Sequence, residues 1–501
     1  MASSQLRNGI EPALATPALR MLAVVNALSN HYSESDAVSR SMVAAAGREL
    51  SDILLKIPPG IVYLTHSAKE GVYALKSVLG GDVTDFSPKY AIKRFENLSQ
   101  ASLVHSLTVK LRQLAEGRKK TGRAAYLKVP DARWPMELDD FAVVFMDALD
   151  GRNMAKVMPE LDRLIQNGSP AATMIREYLV LSVLDDIAYW QTIAPGLARE
   201  FGYELEPGEV HGFLSKSVRD SAATLESVTD ARLLERDYAR IRNAADNLQS
   251  LVSPELSVSF DFGPRNIIAQ RTLLETIDMI VGADSRESQP SLYGLHRPKV
   301  ADSVWHVDVP HDFRTIHPVR EAVRFLFGLS SLSETNPDSD EIDRYLAYVL
   351  LAKKSFDSTD FNYTHSAQFQ RDLLLRRTLP PGYVDVFSSY RNSHPHDIYA
   401  HVVAEAGRMT SLIPNLFLSK IAAEQEGYIP QSTPHEELDS EHDSLVRQVK
   451  RWAAMGKEAS CFIECQFPNS SFAGLSKLFE AWEKAQIFEK RLPRYESFMR
   501  V

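Results

Sequence analysis

The amino-acid sequence predicts an α+β protein in which a small β-rich segment is followed by a large helical one. Short runs of β-prone residues cluster between positions 60 and 151. Apolar residues at helical spacing dominate after position 151, as in the stripe Leu234, Tyr238, Ile241, Ala245 and Leu248. A chain of 501 residues, 44% of them hydrophobic and 24% charged, has the composition of a globular protein with more than one domain.

Composition also limits the kinds of partner that we expect. The formal net charge of -9 argues against a general nucleic-acid-binding surface, which needs a basic face. The N-terminal segment lacks the continuous apolar core of a signal peptide, and no apolar run reaches the ~20 residues that span a bilayer. The two cysteines, Cys461 and Cys465, are four apart and make a poor zinc site. We therefore expect a cytoplasmic protein that binds neither nucleic acid nor membrane.

The first part of the chain is predicted to form a helical extension and then a small sheet. Residues 1–56 are the extension, because apolar residues recur in them at helical spacing. Three β-prone runs follow, at Ile61–Leu64, Val72–Leu75 and Tyr90–Phe95. Gly71 lies in the turn between the first two runs. One helix is then predicted from Leu103, Leu107, Leu111 and Leu114, and the strand Phe141–Met146 closes a sheet within residues 57–151.

The rest of the chain is predicted to be mainly helical. Strand-like pieces return only at Val258–Phe260, Ile267–Ile268 and Val304–Val309. Gly282–Ser303 is rich in Ser, Gly, Asp and Pro and is predicted as an irregular insertion. Helices resume at Pro318, and the polar stretch Glu424–His442 is predicted as a linker. Residues 152–423 then form one helical region, and residues 424–501 form a linker and a helical tail.

The stretch Ser-Phe-Asp-Phe-Gly-Pro-Arg-Asn, from Ser259 to Asn266, is the strongest indication of chemistry. It places Asp261 five positions before Asn266, directly ahead of an apolar run. A carboxylate and an amide at this spacing suit phosphoryl transfer, since the Asp can accept the proton of an attacking hydroxyl while the Asn holds magnesium on the nucleotide phosphates. The spacing alone occurs by chance in many chains, so the prediction depends on the other parts of such a site.

A phosphate-binding lysine and a hinge are predicted in the β-rich segment. Lys93 lies on the third β-prone run, where a fixed ammonium group suits the α- and β-phosphates of ATP. The alternative is a surface lysine at the end of a strand. Phe141–Gly151 combines an apolar strand, a short polar crossing and a glycine, which is typical of a hinge whose backbone meets an adenine edge.

Asp308 is the second predicted metal ligand. Strand alternation in Val-Trp-His-Val-Asp sends His306 and Asp308 to one face. A carboxylate at the end of a buried strand is unfavourable unless it is paired or bound to metal. Magnesium prefers one or two carboxylates together with substrate phosphates, which Asn266 and Asp308 would complete. The alternative is a strand-end Asp that caps the next turn.

With these motifs in place, the chain resembles the aminoglycoside phosphotransferase and choline kinase branch of the protein-kinase-like fold. The resemblance is carried by Tyr-Ala-Ile-Lys at Lys93, the loop Asp261–Asn266 and the strand before Asp308, and it covers roughly residues 60 to 330. In that branch a proline and an acidic residue follow the metal-binding Asp, and here Pro318 and Glu321 come ten and thirteen positions after Asp308.

The resemblance implies a two-lobed fold, with residues 57–151 as the small lobe and residues 152–423 as the large one. It implies transfer of the γ-phosphoryl group from ATP to a hydroxyl of a small molecule, with Mg²⁺. The roles that it implies are a catalytic base at Asp261, metal ligands at Asn266 and Asp308, and cofactor-binding residues at Lys93, Gly71, Met146 and Asp147.

The sequence also departs from the pattern of that branch. Ser259-Phe260 stands where His-Gly usually precedes the catalytic Asp, so the residue that normally braces the loop is missing. The helix after Lys93 has no glutamate in its middle, and His105 stands about where a partner for the lysine is expected. A catalytically weak or inactive kinase-like protein is therefore an alternative. Its helical termini would bind a partner, for example through the stripe Leu445, Val449, Trp452 and Ala453, although a packed core helix explains the same stripe.

Two other interpretations concern the same segments. Asp261-Phe262-Gly263 spells the metal motif of eukaryotic-type kinases, but the catalytic loop would then fall at Asp237 and Asn243, on a predicted amphipathic helix. A helix cannot present a loop-type base and ligand together, so we reject this assignment.

The second alternative is a metal-dependent hydrolase or oxygenase with ligands drawn from His306, Asp308, His311 and His317.

Overall fold

The computed structural model describes residues 72–74, 90–121, 125–138, 141–147, 149, 151–270, 304–332, six positions between 342 and 353, 396–425, 435–468 and 471–487. Within these residues the chain is an α+β protein, mostly helical with a few small sheets. Several predictions fall outside the described residues, namely the extension 1–56, the strand Ile61–Leu64, Gly71 and the insertion Gly282–Ser303.

The first sheet has four antiparallel strands in the order β1-β2-β4-β3. Their bounds are β1 Val72–Ala74, β2 Tyr90–Phe95, β3 Ala132–Leu138 and β4 Phe141–Asp147. Helix α1, Leu98–Lys120, connects β2 to β3 and packs on the sheet. The predicted order of one helix among short strands is therefore confirmed for the described part of this segment.

Helix α1 begins and ends where its sequence favours it. Asn97 is the N-cap, and its side chain accepts a hydrogen bond of 3.0 Å from the backbone N–H of Gln100. Arg118, Lys119 and Lys120 form the last turn, where positive charge is favourable next to the helix dipole. The predicted stripe faces the sheet, with Leu103, Leu107 and Leu111 buried.

Two further small sheets lie beyond β4. The first has the order β5-β7-β8, with β5 Gly151–Asn153, β7 Ile267–Gln270 and β8 Val304–His306, all antiparallel. The second pairs β6 Ser257–Val258 with β9 Thr315–Ile316. Gly151 is required where β5 meets β7, because a Cβ there would lie 2.3 Å from the carbonyl oxygen of Ala269.

The helices follow the predicted pattern. Four of them lie between β5 and β6: α2 Met154–Gln166, α3 Pro170–Glu200, α4 Pro207–Val228 and α5 Glu235–Asn247. After β9 come α6 Val319–Leu332, α7 Asp397–Gln425, α8 His435–Gln466 and α9 Leu475–Lys484. Asp237 and Asn243 both lie inside α5, as expected when we rejected them as a catalytic loop.

The described residues form two hydrophobic cores, and helix α6 contributes to both. The first core joins α1, the first sheet, α2 and α3, and it includes Ala322 and Phe325 of α6. The second joins α4, α5, α7, α8 and α9, and it includes Val319 and Val323 of α6. Charged residues of α6 that lie between these apolar faces are therefore buried as well, and they require partners inside the protein.

Two features of the C-terminal part differ from the sequence interpretation. The stripe Leu445, Val449, Trp452 and Ala453 is buried in the second core, so this face of α8 packs within the chain and is not exposed for a partner. Helix α8 also begins at His435, inside the stretch predicted as a linker.

No helix among the described residues has both the length and the apolar content that crossing a bilayer requires.

Truncation of Trp452 tests the second core. Trp452 is fully buried, and Trp452→Ala should lower the free energy of unfolding by about 3 to 5 kcal/mol, as is typical for a large core side chain. Denaturant unfolding followed by circular dichroism measures this loss. The control is Lys450→Ala, an exposed position two residues earlier on the same helix. Equal stability of the two variants would contradict the packing of this face.

Candidate functional site

The loop between β6 and β7 holds Asp261 in an unusual backbone conformation. Asp261 has a φ of +66°, and among the described non-glycine residues only Leu127 shares a positive value. The left-handed region costs roughly 1 to 3 kcal/mol for such a residue and persists only where the surroundings impose it. The contacts around the loop must therefore hold Asp261 in place.

The buried carboxylate of Glu321, on α6, supplies one set of these contacts. It accepts hydrogen bonds from Ser259 Oγ at 2.9 Å, from the backbone N–H of Phe260 at 3.3 Å and from that of Phe262 at 3.1 Å. The rings of Phe260 and Phe262 stack with centroids 4.9 Å apart and belong to the first core. Glu321 thus fixes the backbone on both sides of Asp261. It stabilises the loop at the point where Ser259-Phe260 replaces the His-Gly that the resemblance leads us to expect.

A second residue of α6 holds the side chain of Asp261. Arg324 Nη2 lies 2.5 Å from Asp261 Oδ1, and the two side chains are 10% and 23% exposed. Burial alone would raise the pKa of Asp261, but the Arg324 guanidinium, with Arg408 behind it, brings that pKa below its ordinary value. The carboxyl group is therefore ionised at neutral pH.

Asn266 ends the 3₁₀ turn Pro264–Asn266 and is adjacent to Asp308. Its Nδ2 lies 3.4 Å from Asp308 Oδ2 and 3.5 Å from the carbonyl oxygen of Asp261. Its Oδ1 is buried and has no hydrogen-bond partner within the described residues. In this structure Nδ2 is the atom that faces Asp308. The amide oxygen without a donor and the neighbouring carboxylate are nevertheless oxygen groups of the kind that a hard cation such as Mg²⁺ binds.

Lys93, on strand β2, is the residue that pairs with Asp308. It lies in the middle of β2, in register with Val72 of β1 and Val144 of β4, and it is fully buried. Its ammonium group forms an ion pair with Asp308 and donates a hydrogen bond of 3.3 Å to the carbonyl of Val309. The alternative of a surface lysine is therefore wrong, as is that of an Asp308 that only caps a turn.

The predicted hinge residues lie at the end of β4. Met146 is buried and is in register with Ala91, while Asp147 is half-buried. The backbone N–H of Asp147 donates to the carbonyl of Asp131 at 2.8 Å. This N–H group is already engaged, so it is not available to an adenine edge. Gly71 lies outside the described residues.

The histidines proposed as alternative metal ligands do not converge. His306 Nε2 lies 2.7 Å from Asp186 Oδ2, whereas Asp308 pairs with Lys93. Asp186 also accepts a hydrogen bond of 2.8 Å from the backbone N–H of Leu127. In the part of the chain that the structure describes, no group of three or more His, Cys, Asp and Glu side chains is arranged to hold a metal.

His317 belongs to a separate buried cluster that looks like a nucleophilic triad. Its Nε2 lies 2.8 Å from Ser253 Oγ and 3.3 Å from Asp397 Oδ2. However, its Nδ1 accepts a hydrogen bond of 3.3 Å from the backbone N–H of Val319, so Nε2 carries the proton. This tautomer cannot take a proton from Ser253, whose hydroxyl instead donates to Asp397 at 2.8 Å. The cluster is structural: it joins the segment before β6 to α7.

Sequence reasoning identified Glu321 through the resemblance but missed Arg324 and its neighbours. Arg320, Glu321 and Arg324 are charged residues in a helix whose other positions are mostly buried and apolar. Charges at this spacing in an otherwise apolar helix were the available signal. Their partner Glu405 lies on α7 and could not be identified from local sequence.

No protein-family model, curated protein or solved structure matches this chain. Function is therefore inferred from the geometry of these residues.

A second histidine, His401 on α7, is fully buried beside the structural cluster, with its ring 4.8 Å from that of His317. The pH dependence of stability tests this residue. Burial, and to a lesser extent the neighbouring His317, lowers the pKa of His401 to about 3 from 6.5. The unfolded chain then binds more protons than the folded one between these values, so stability should be complete above pH 6.5 and fall as the pH drops below it. The carboxyl group of Asp397, with a pKa of about 2 against 3.8, acts only at lower pH.

Unfolding free energies measured between pH 7 and 5 should therefore decrease in the wild type and change less in His401→Phe. The exposed His211 offers a control, since His211→Phe should leave the wild-type slope unchanged. A slope in His401→Phe equal to that of the wild type would contradict the assignment.

Proposed function

We propose that this protein transfers the γ-phosphoryl group of ATP to a hydroxyl of a small molecule, on a two-lobed protein-kinase-like fold. The observation that carries the proposal is the convergence of four residues from three segments, with Asp261 and Asn266 in one loop. Lys93 pairs with Asp308, Asn266 is adjacent to Asp308, and Asn266 Nδ2 lies 3.5 Å from the carbonyl oxygen of Asp261. A cation, two oxygen ligands and a carboxylate base are the groups that phosphoryl transfer requires.

The arrangement of elements supports the same proposal. The lysine is on a central strand of a small antiparallel sheet with one packed helix, and the sheet is followed by short strands and a mainly helical region. The loop with Asp261 and Asn266 leads into β7, which pairs with β8, and Asp308 follows β8. This is the order of parts that the resemblance to the aminoglycoside phosphotransferase and choline kinase branch implies.

Each residue has a distinct part in the proposed reaction. Asn266 and Asp308 would hold Mg²⁺, which neutralises phosphate charge when it is bound. Lys93, fixed in the sheet and paired with Asp308, adds a positive charge. Asp261 accepts the proton of the attacking hydroxyl and orients it toward the phosphorus. Catalysis of this type depends mainly on positioning and electrostatics, which suits a buried and closely braced site.

A nucleotide-binding protein with little or no turnover is the second candidate. It is favoured by the ion pair between Asp261 and Arg324, because a guanidinium that lowers the pKa of a carboxyl group also makes it a weaker base.

Substitution of the proposed base separates the two candidates. Asp261→Asn keeps the side-chain shape and tolerates a left-handed backbone, so the loop should be preserved while proton acceptance is lost. Phosphoryl transfer from ATP, measured as ADP release with a panel of hydroxylated compounds and with water, should fall by at least about 10²-fold, with Mg-ATP affinity little changed. Asp312→Asn is the control, because Asp312 pairs with the exposed Arg314. Full activity of Asp261→Asn would exclude this residue as the base.

Nucleotide binding is tested by thermal unfolding with ATP and magnesium, together and separately. At a concentration of about 100 times Kd, a ligand adds roughly 2.7 kcal/mol to stability, so the midpoint should rise by several degrees only when both are present. In Asp308→Asn the shift should be much smaller, because a metal ligand is lost. The variant will also start from a lower midpoint, since Lys93 remains buried without this partner. The comparison is therefore between shifts, and Asp312→Asn should shift like the wild type. A wild type without any shift would contradict the proposal.

A further inference from the structure

We propose that Arg324 is a positioning residue for Asp261: its guanidinium fixes one carboxylate oxygen, Oδ1, and leaves the other, Oδ2, to receive the proton of the acceptor hydroxyl. The inference rests on the proposed function and adds to it the residue that orients the base.

The contacts of the Asp261 carboxylate are all on one side. Oδ1 accepts from Arg324 Nη2 at 2.5 Å and from the backbone N–H of Gly263 at 3.3 Å. No residue in the described part of the chain makes a hydrogen bond to Oδ2, although the side chain is 23% exposed. One oxygen is therefore held by the protein, while the other makes no hydrogen bond to the described residues.

Glu321 and Arg324 hold different parts of Asp261: Glu321 holds the backbone around it, and Arg324 holds its side chain. The three hydrogen bonds to Glu321 come from Ser259, Phe260 and Phe262, so they fix the backbone on both sides of Asp261 but not its side chain. Rotation about the side-chain torsions would carry the carboxylate away from the acceptor. The ion pair with Arg324 restricts that rotation, and it comes from the next turn of the same helix.

The acidic residues around Arg324 have different ion-pair partners. Glu405 on α7 is fully buried, and both of its oxygens are occupied: Arg320 Nε lies 2.9 Å from Oε1 and Arg408 Nε lies 2.8 Å from Oε2. Glu405 and Glu321 are both close enough to affect the pKa of Arg324. Among the described residues, however, the ion pair of Arg324 is with Asp261.

The proposed step is a single phosphoryl transfer. The acceptor oxygen forms a bond to the γ-phosphorus, the bond from that phosphorus to the β,γ-bridging oxygen breaks, and ADP leaves with the electron pair. The hydroxyl proton passes to Asp261 Oδ2 and is later released to water. Arg324 does not contact the reacting atoms and exchanges no proton. It keeps the carboxylate ionised and oriented before each turnover.

The test compares Arg324→Met and Arg324→Lys with the wild type, using Mg-ATP as the probe and water as the acceptor. Arg176→Met is the matched control, because Arg176 Nε lies 2.9 Å from Asp162 in another half-buried ion pair, between α3 and α2. We expect Arg324→Met to lower kcat for ATP hydrolysis by about 10²-fold, as for a misplaced catalytic group, with the Kd for Mg-ATP unchanged. Arg324→Lys should recover part of the loss, and Arg176→Met should behave as wild type.

The pH profile gives a readout that a merely structural role would not move. Removal of the guanidinium should raise the pKa of Asp261, so the acidic limb of kcat should shift to higher pH in Arg324→Met but not in Arg176→Met. In the background of Asp261→Asn, the change Arg324→Met should cause no further loss of turnover, since the two residues act as a unit. The double variant removes both charges of the ion pair, so it leaves no buried charge without a partner. It can therefore still be measured if the single variant Arg324→Met does not fold.

The outcomes that overturn the inference differ from those that overturn the proposed function. A wild type that neither binds Mg-ATP nor hydrolyses it overturns both. A wild type that turns over, together with an Arg324→Met variant of equal or higher kcat and an unmoved acidic limb, overturns the positioning role alone. Additive losses from Asp261→Asn and Arg324→Met would overturn it as well.

Discussion

The buried carboxylate of Glu321 is the contact on which the geometry of the candidate site depends. A charge without exposure is strongly unfavourable unless hydrogen bonds replace its water, and here three donors from the loop do so. The same bonds force Asp261 into a left-handed backbone, which it would not adopt freely. Glu321 can do this because α6 is held by the two cores, with Phe325 packed in one and Val323 in the other. The loop thus takes its shape from a helix that follows it in sequence.

A large part of the fold and the four central residues could be predicted from local sequence. Helix α1 and strand β2 have clear periodicity, and the spacing of Asp261 and Asn266 is a short-range pattern that a strand after it supports. The convergence of Lys93 with Asp308 followed from the resemblance, because no local rule brings together residues 215 positions apart. Local sequence does not decide whether the stripe around Trp452 is buried, since an amphipathic face has the same pattern whether it covers a core or a partner.

The rest could not be predicted, for a physical reason. Arg324 and Glu405 matter through the partners they have, and those partners are set by how α6 and α7 pack. Because partners depend on packing, two sequence or distance patterns are also misleading. His306 shares a strand face with Asp308 in the alternation rule, but the strand ends at His306 and the two side chains find different partners. Ser253, His317 and Asp397 are close together, yet the hydrogen bond from Val319 to Nδ1 sets the wrong tautomer for nucleophilic chemistry.

The cluster beneath the loop consists of three arginines and three acids, Arg320, Arg324, Arg408, Asp261, Glu321 and Glu405, so its formal charges cancel. Loss of any one member leaves an uncompensated charge in a site with little access to water, which is more costly than loss of a complete pair. Evolutionary change at these positions should therefore occur in pairs of opposite sign. In any homologue of this protein, an uncharged residue at the position of Arg324 should therefore accompany a neutral one at that of Asp261.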